Sequence, residues 1–220
     1  MIFANRSEAG RSLAWRLTEY ANREDVTILA VPRGGVPVAF EIAEMLHAPL
    51  EVFLLRKLGV PEHKELAFGA IASGGVRVLD REIIRDLHLS AETIEAVTVH
   101  EGAELKRREM LYCGSRSAPL SVTGKTVILV DDGIATGASM LAGIHALRQL
   151  RPAKVIVAVP VAPPAAVERL AYEVDEVVCV ATPEPFGAVG RFYDNFTQVS
   201  DNDVLRLLEA HQHTEVPQAT

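Results

Sequence analysis

Two adjacent carboxylates, Asp131 and Asp132, stand between an apolar run and a loop of small residues in the segment Val127–Ser139, VILVDDGIATGAS. Side chains alternate along an extended chain, so paired acids at a curving strand end can grip two neighbouring hydroxyls. An ionised carboxylate only accepts hydrogen bonds, which makes a sugar cis-diol a natural partner. The loop Gly133–Ser139 carries little bulk. Its backbone amides can converge on a phosphate at the start of the following helix, where the helix dipole also favours an anion. The Thr136 and Ser139 hydroxyls can add donors. Together these residue types describe a site for a ribose 5-phosphate.

A plain strand-to-helix turn accounts less well for the acids, because adjacent carboxylates would repel each other with no cation or donor to compensate. A response-regulator receiver domain also places two acids after a strand, but needs another Asp at the end of a later one. Here the next apolar run ends in Val159-Pro160-Val161.

The segment resembles the 5-phosphoribosyl-1-pyrophosphate (PRPP) signature of type I phosphoribosyltransferases: an apolar strand, two acids, then T-G-[small]-[S/T]. The resemblance implies that Asp131 and Asp132 hold the ribose hydroxyls. It implies that Ala135, Thr136, Gly137, Ala138 and Ser139 hold the 5-phosphate. It also implies a Mg2+ cofactor, which the two acids reach indirectly, through water or the ribose. The expected reaction passes the phosphoribosyl group of PRPP to a nucleobase-like acceptor and releases pyrophosphate. The competing class is a PRPP- or nucleotide-sensing regulator with the same fold.

Other segments fall into place around this signature. Val31–Gly35, VPRGG, follows the first apolar run. Its glycines permit close approach to a ligand, and Arg33 offers fork-like donors suited to phosphate. By resemblance, Pro32, Arg33, Gly34 and Gly35 form the pyrophosphate loop. Arg56 and Lys57 resemble the basic pair before the mobile catalytic loop of some family members, with Lys57 assigned to the leaving group. GVPEHK (Gly59–Lys64) then lies in that loop, where His63, Lys64 and Glu65 are candidates for closing over the site. Thr182–Phe196 concentrates aromatics in a chain with only 5% of them. Phe186, Tyr193 and Asp194 are the acceptor-base candidates, with packing of the aromatics as the plain alternative. Ala135 departs from 6-oxopurine members of the family, which carry Asp there. The A-T-G loop is similar to adenine-type members and the basic segment to orotate-type ones, so the base is left open.

These residues need a scaffold. Asn5 or Ser7 can cap a helix over residues 5–22 with Ala9, Leu13, Leu17 and Tyr20 on one face. Val26–Val31, Leu50–Leu55, Thr126–Val130, Lys154–Val161 and Glu176–Ala181 read as strands, with helices over Val36–Leu46, Thr136–Leu150 and Pro163–Tyr172. Strands alternating with helices predict an α/β fold with a parallel sheet covered on both faces. Ligands then bind at the carboxyl ends of its strands. Two short strands should meet at Gly74-Gly75. Residues 80–115 read as a mainly helical insertion, and 182–200 as a small hood element, within one domain spanning 1–220.

The 220 residues, 49% of them hydrophobic, can bury a sizeable core. A net charge of −7 argues against non-specific nucleic-acid binding. No basic helix-turn-helix is found, so no DNA partner is expected. Cys113 and Cys179 form neither a disulfide framework nor a metal pattern. The N-terminus lacks the apolar core of a signal peptide and no run reaches 18 apolar residues, so the expectation is a cytoplasmic protein with no membrane span. The resemblance implies a homodimer.

Overall fold

The computed structural model describes residues 3–61, 63–114 and 120–215. The chain divides into two compact units. One comprises Met1–Phe53, Val122–Gly137 and Pro152–Thr220, the other Leu54–Ser121 and Ala138–Arg151.

The first unit is built on a five-stranded parallel sheet. Its strands are β1 (Val26–Ala30), β2 (Leu50–Val52), β6 (Thr126–Val130), β7 (Lys154–Val161) and β8 (Glu176–Ala181), in the order β2-β1-β6-β7-β8. Every residue of β1 and β6 is buried. That is the pattern of a central parallel strand covered on both faces. The covering helices are α1 (Arg6–Ala14), α2 (Gly35–Leu46), α6 (Pro164–Ala171) and α7 (Asp201–Glu215). The Asn5 side chain accepts the Glu8 amide and starts α1, as its residue type predicts. The helix stops at Ala14 rather than running to 22, and a short 3-10 turn over Thr18–Tyr20 follows. At the head of α7, the Ser200 hydroxyl accepts the Asp203 amide while the Asp203 carboxylate accepts the Ser200 amide. This is a capping box with Asp in place of Glu.

The second unit carries an antiparallel sheet of β3 (Leu55–Val60), β4 (His63–Ala72) and β5 (Val76–Leu79), in the order β3-β4-β5. With it go α3 (Arg81–Asp86), α4 (Ala91–Cys113) and α5 (Ala138–Gln149). The β4–β5 hairpin turns at Gly74-Gly75, both at positive φ. Ser90 caps α4, its hydroxyl accepting the Thr93 amide. Two differences from the sequence reading concern this unit. The run Leu50–Leu55 is not one strand: β2 ends at Val52, and from Leu55 the chain belongs to a different sheet. Both sheets bury apolar residues, so the run carries no sign of the break. Gly59 and Val60 end β3 and His63 begins β4, with Val60 opposite His63, where the sequence reads as a loop. The segment 182–200 lies in the first unit, with a 3-10 turn over Val189–Phe192 and an isolated bridge, Phe3–Tyr193.

Candidate active site

The acid pair is placed by strand register. Val130, the last residue of β6, pairs with Ala30, the last residue of β1, so the two following loops leave the sheet side by side. The Val31 amide donates to the Val130 carbonyl at 2.8 Å and holds them together. Gly34 then lies directly against Asp132. A Cβ there would come within 2.6 Å of the Asp132 Cγ and closer still to Oδ2. A Cβ on Gly35 would meet the Val130 carbonyl oxygen at 2.7 Å and the Asp131 Cα at 2.9 Å. Both glycines are therefore demanded by the strand that carries the acids. The Gly35 amide donates to the Val31 carbonyl at 3.0 Å, and α2 begins there. The Arg33 and Gly34 amides donate to no carbonyl among the described residues, and the Pro32–Arg33 peptide is cis.

Each carboxylate has one oxygen engaged by the fold. The Asp132 amide donates to Asp131 Oδ1 at 2.8 Å. Arg6, at the start of α1, donates through Nε to Asp132 Oδ2 at 2.7 Å. No N–H among the described residues donates to the other oxygen of either acid. Burial, and then the neighbouring Asp132 charge, hold the Asp131 carboxyl well above the ordinary carboxylate range. Burial raises Asp132 as well, with the Arg6 hydrogen bond pulling the other way. The loop beyond turns sharply. The Ile134 amide donates to the Val161 carbonyl at 2.9 Å, and Gly137 sits at φ +78, a conformation that favours glycine. Ala135 and Thr136 are exposed in this loop. Ala138 and Ser139, also exposed, open the first turn of α5, where amides lack helical partners. The helix begins there rather than at Thr136.

The C-terminal aromatics sort into two kinds. Phe186 is half-buried against Phe192, with ring centroids 5.1 Å apart. Tyr193 is buried between Phe3 and Phe196, and its hydroxyl donates to the Asp132 carbonyl at 2.6 Å. Tyr193 thus braces the backbone of the acid pair. Burial pushes its phenol pKa up. Asp194 is exposed, and its amide donates to the Phe3 carbonyl at 2.9 Å. Arg33 lies 3.8 Å from Asp201, both half-exposed, a geometry of little energetic weight.

The remaining candidates belong to the second unit. Lys57 is exposed on β3, opposite Ala70, rather than in a loop after a strand. Arg56 is bound to Glu101 of α4, with Nε 2.7 Å from the carboxylate. A cleft of about 410 Å³ is lined by Lys57, Val60, Pro61, Val97, His100 and Glu101. His63 is exposed, and it, Lys64 and Glu65 begin β4. Of the three, His63 has a cross-strand partner, Val60.

Sequence reading missed Arg6. It precedes any recognisable motif, and its partner lies 126 positions away.

With this geometry in place, likeness to known proteins becomes informative. A family profile described as "Phosphoribosyl transferase domain" matches residues 2–195. The chain belongs to the phosphoribosyl transferase family. It is 48% identical over 212 residues to the Mycobacterium tuberculosis protein named "Putative phosphoribosyl transferase Rv0571c". That match covers 96% of this chain and 47% of the relative, so the chain spans about half the length of the mycobacterial protein. "Bifunctional protein PyrR" of Ralstonia nicotianae is 31% identical over 160 residues, covering 68% of this chain and 91% of that protein. The crystal structure of TT1426 from Thermus thermophilus matches with a TM-score of 0.83 at 41% identity, over 94% of this chain and 98% of that one. The parallel sheet with a small antiparallel sheet is thus a phosphoribosyl transferase fold. No helix among the described residues is long and apolar enough to cross a membrane.

Proposed function

We propose that this phosphoribosyl transferase family member is an enzyme that binds PRPP with magnesium and transfers the phosphoribosyl group to a nucleobase-like acceptor, releasing pyrophosphate. The observation that carries the reading is the acid pair itself. Two part-buried carboxylates are held side by side against a glycine turn, Asp131 by the Asp132 amide and Asp132 by Arg6. A vicinal diol supplies two donors to a pair of adjacent acceptors.

In this reading Asp131 and Asp132 accept the ribose hydroxyls and lie on the side of the sugar that becomes cationic as the leaving group departs. The loop residues Ala135–Gly137, with Ala138 and Ser139 of the helix start, receive the 5-phosphate through backbone amides and the hydroxyls of Thr136 and Ser139. The amides of Arg33 and Gly34 and the Arg33 guanidinium stabilise the pyrophosphate, with Lys57 contributing a further positive charge. Phe186 offers a partly open ring for the acceptor to stack on. The donor set fits magnesium, which takes oxygen ligands and is commonly held by one or two carboxylates together with substrate phosphates. Among the described residues no group of three or more His, Cys, Asp or Glu could hold a metal alone, so the substrate must complete the set. When bound, the metal neutralises developing charge on the pyrophosphate.

The test is magnesium-dependent pyrophosphate release from PRPP across a panel of purine and pyrimidine bases. Release with one base establishes the transferase and identifies its acceptor. PRPP binding without release from any base would replace the transferase with a PRPP-sensing regulator. Micromolar PRPP binding that survives Asp131→Asn combined with Asp132→Asn would remove the acid pair from the site.

A further inference from the structure

We propose that Arg6 is a positioning residue for the acid pair: its guanidinium fixes the Asp132 carboxylate in the one orientation that presents an oxygen to a ribose hydroxyl. The inference rests on the reading of Asp131–Asp132 as a ribose site.

Three contacts fix the plane of the Arg6 guanidinium. Its Nε donates to Asp132 Oδ2 at 2.7 Å, and its Nη1 donates to the Thr197 carbonyl at 2.8 Å. Its central carbon lies 3.8 Å over the Phe196 ring. The Arg6 side chain is only 11% exposed and that of Asp132 15%, so water offers little alternative partnership. A rigid planar fork stacked on an aromatic face suits this task, and the point charge of lysine cannot reproduce it.

The carboxylate is confined from the other sides too. Gly34 abuts Oδ2, leaving no room for the group to swing toward α2. Tyr193 holds the Asp132 carbonyl and so fixes the backbone from which the side chain springs. Rotation about the side-chain bonds would break the Arg6 contact or drive the oxygen into the Gly34 backbone. Oδ1 receives no N–H among the described residues, and the Asp131 carboxyl lies within hydrogen-bond reach of this carboxylate. The Asp132 amide holds Asp131 in the same one-sided way, through Oδ1 of that residue. Arg6 thereby makes the pair a preset two-acceptor clamp, and the ordering is complete before the sugar arrives. Preorganisation of this kind raises affinity by lowering what must be ordered on binding.

Arg6 comes from the first helix of the chain, and Thr197 and Phe196 from the segment after the last core strand. The clamp therefore depends on both ends of the first unit, which no local motif records.

The experiment compares binding of ribose 5-phosphate with that of its 2-deoxy and 3-deoxy analogues, by calorimetry, in the wild type, Arg6→Gln and Arg6→Lys. The wild type should lose affinity when the hydroxyl that meets Asp132 is removed. Arg6→Gln should weaken ribose 5-phosphate on the order of tenfold, as expected for a lost charge-assisted hydrogen bond, and should abolish most of the deoxy penalty. A merely structural role would lower affinity for all three sugars alike and leave the penalty intact, and that result overturns the proposal. Arg6→Lys keeps the charge without the fork and should fall between the two. If Arg6→Gln does not fold, the penalty measured in Arg6→Lys decides, and a full wild-type penalty there counts against us. If the wild type binds no sugar phosphate, the ribose reading fails by itself. Arg6 is then judged by a crystal structure of the variant, where an Asp132 carboxylate still in its present orientation refutes the positioning role.

Discussion

Gly34→Ala should damage ligand binding more than it damages the fold. The new Cβ would lie 2.6 Å from the Asp132 Cγ and closer to Oδ2. Ordinary contact begins near 3.4 Å, so the carboxylate or the loop must yield by at least ~0.8 Å. Arg6 and Tyr193 also hold Asp132, so the displacement falls on the contacts that position the acid pair. Overpacking of this size costs about 1–3 kcal/mol. In a chain of this length each kcal/mol lowers the melting temperature by roughly 2–4 °C. Misplacing a binding group by about 1 Å can reduce activity on the order of a hundredfold. PRPP titration calorimetry and pyrophosphate release should therefore fall about a hundredfold, while calorimetric melting shows a cooperative transition a few degrees lower. The same substitution made in an Asp132→Ala background should cost almost no stability, because the atoms it would strike are gone. Unchanged melting and unchanged PRPP affinity in Gly34→Ala, or an equal stability loss in both backgrounds, would refute the contact as the reason for glycine.

Three further outcomes follow from individual contacts. Burial and the Asp132 charge raise the Asp131 carboxyl pKa in the folded chain, so the ligand-free protein gives up stability as pH rises from the unfolded carboxylate value through the folded one. Asp131→Asn removes that loss, and its melting advantage over wild type should widen as pH rises above the ordinary carboxylate range; a constant or reversed gap would refute the cause. Ser73 is buried and its hydroxyl accepts the Leu54 amide at 3.1 Å, so Ser73→Ala strands that amide and should cost about 1–3 kcal/mol in urea unfolding. Gly102 lies inside α4, and a Cβ there would meet nothing nearer than Ile71 Cδ1 at 4.0 Å. Gly102→Ala should accordingly raise stability by about 0.5–1 kcal/mol.

The legibility of this chain followed how local each signal was. β1 and β6 are short, wholly apolar runs ending in turn residues, so their type and ends were readable, and the acids at the end of β6 were readable with them. The capping residue Asn5 acts within three positions of itself and was equally plain. The passage from β2 to β3 was not, because Val52, Phe53 and Leu54 are all buried and the apolar run is continuous across a change of sheet. Gly59–Lys64 reads as a loop because it is polar and contains Gly59 and Pro61. In the structure Arg56 finds Glu101 on α4, 45 positions away, and the strand becomes tenable. Charge alone marks a surface segment only when its partners are local.

Gly34 shows the same limit within the site. From sequence, paired glycines after a strand suggest close approach to a ligand. In the structure the close approach of Gly34 is to Asp132, and that of Gly35 is to the backbone of Val130 and Asp131. The turn and the acids are thus one construction. Two adjacent carboxylates that repel each other are kept side by side because an arginine answers one of them, a tyrosine holds its carbonyl, and a missing Cβ leaves the space it fills. Each compensation comes from a different part of the chain. The acids, which are contiguous, could be found by inspection, whereas Arg6, Gly34 and Tyr193 are brought to them only by the register of β1 on β6 and by the return of the C-terminal segment to Phe3.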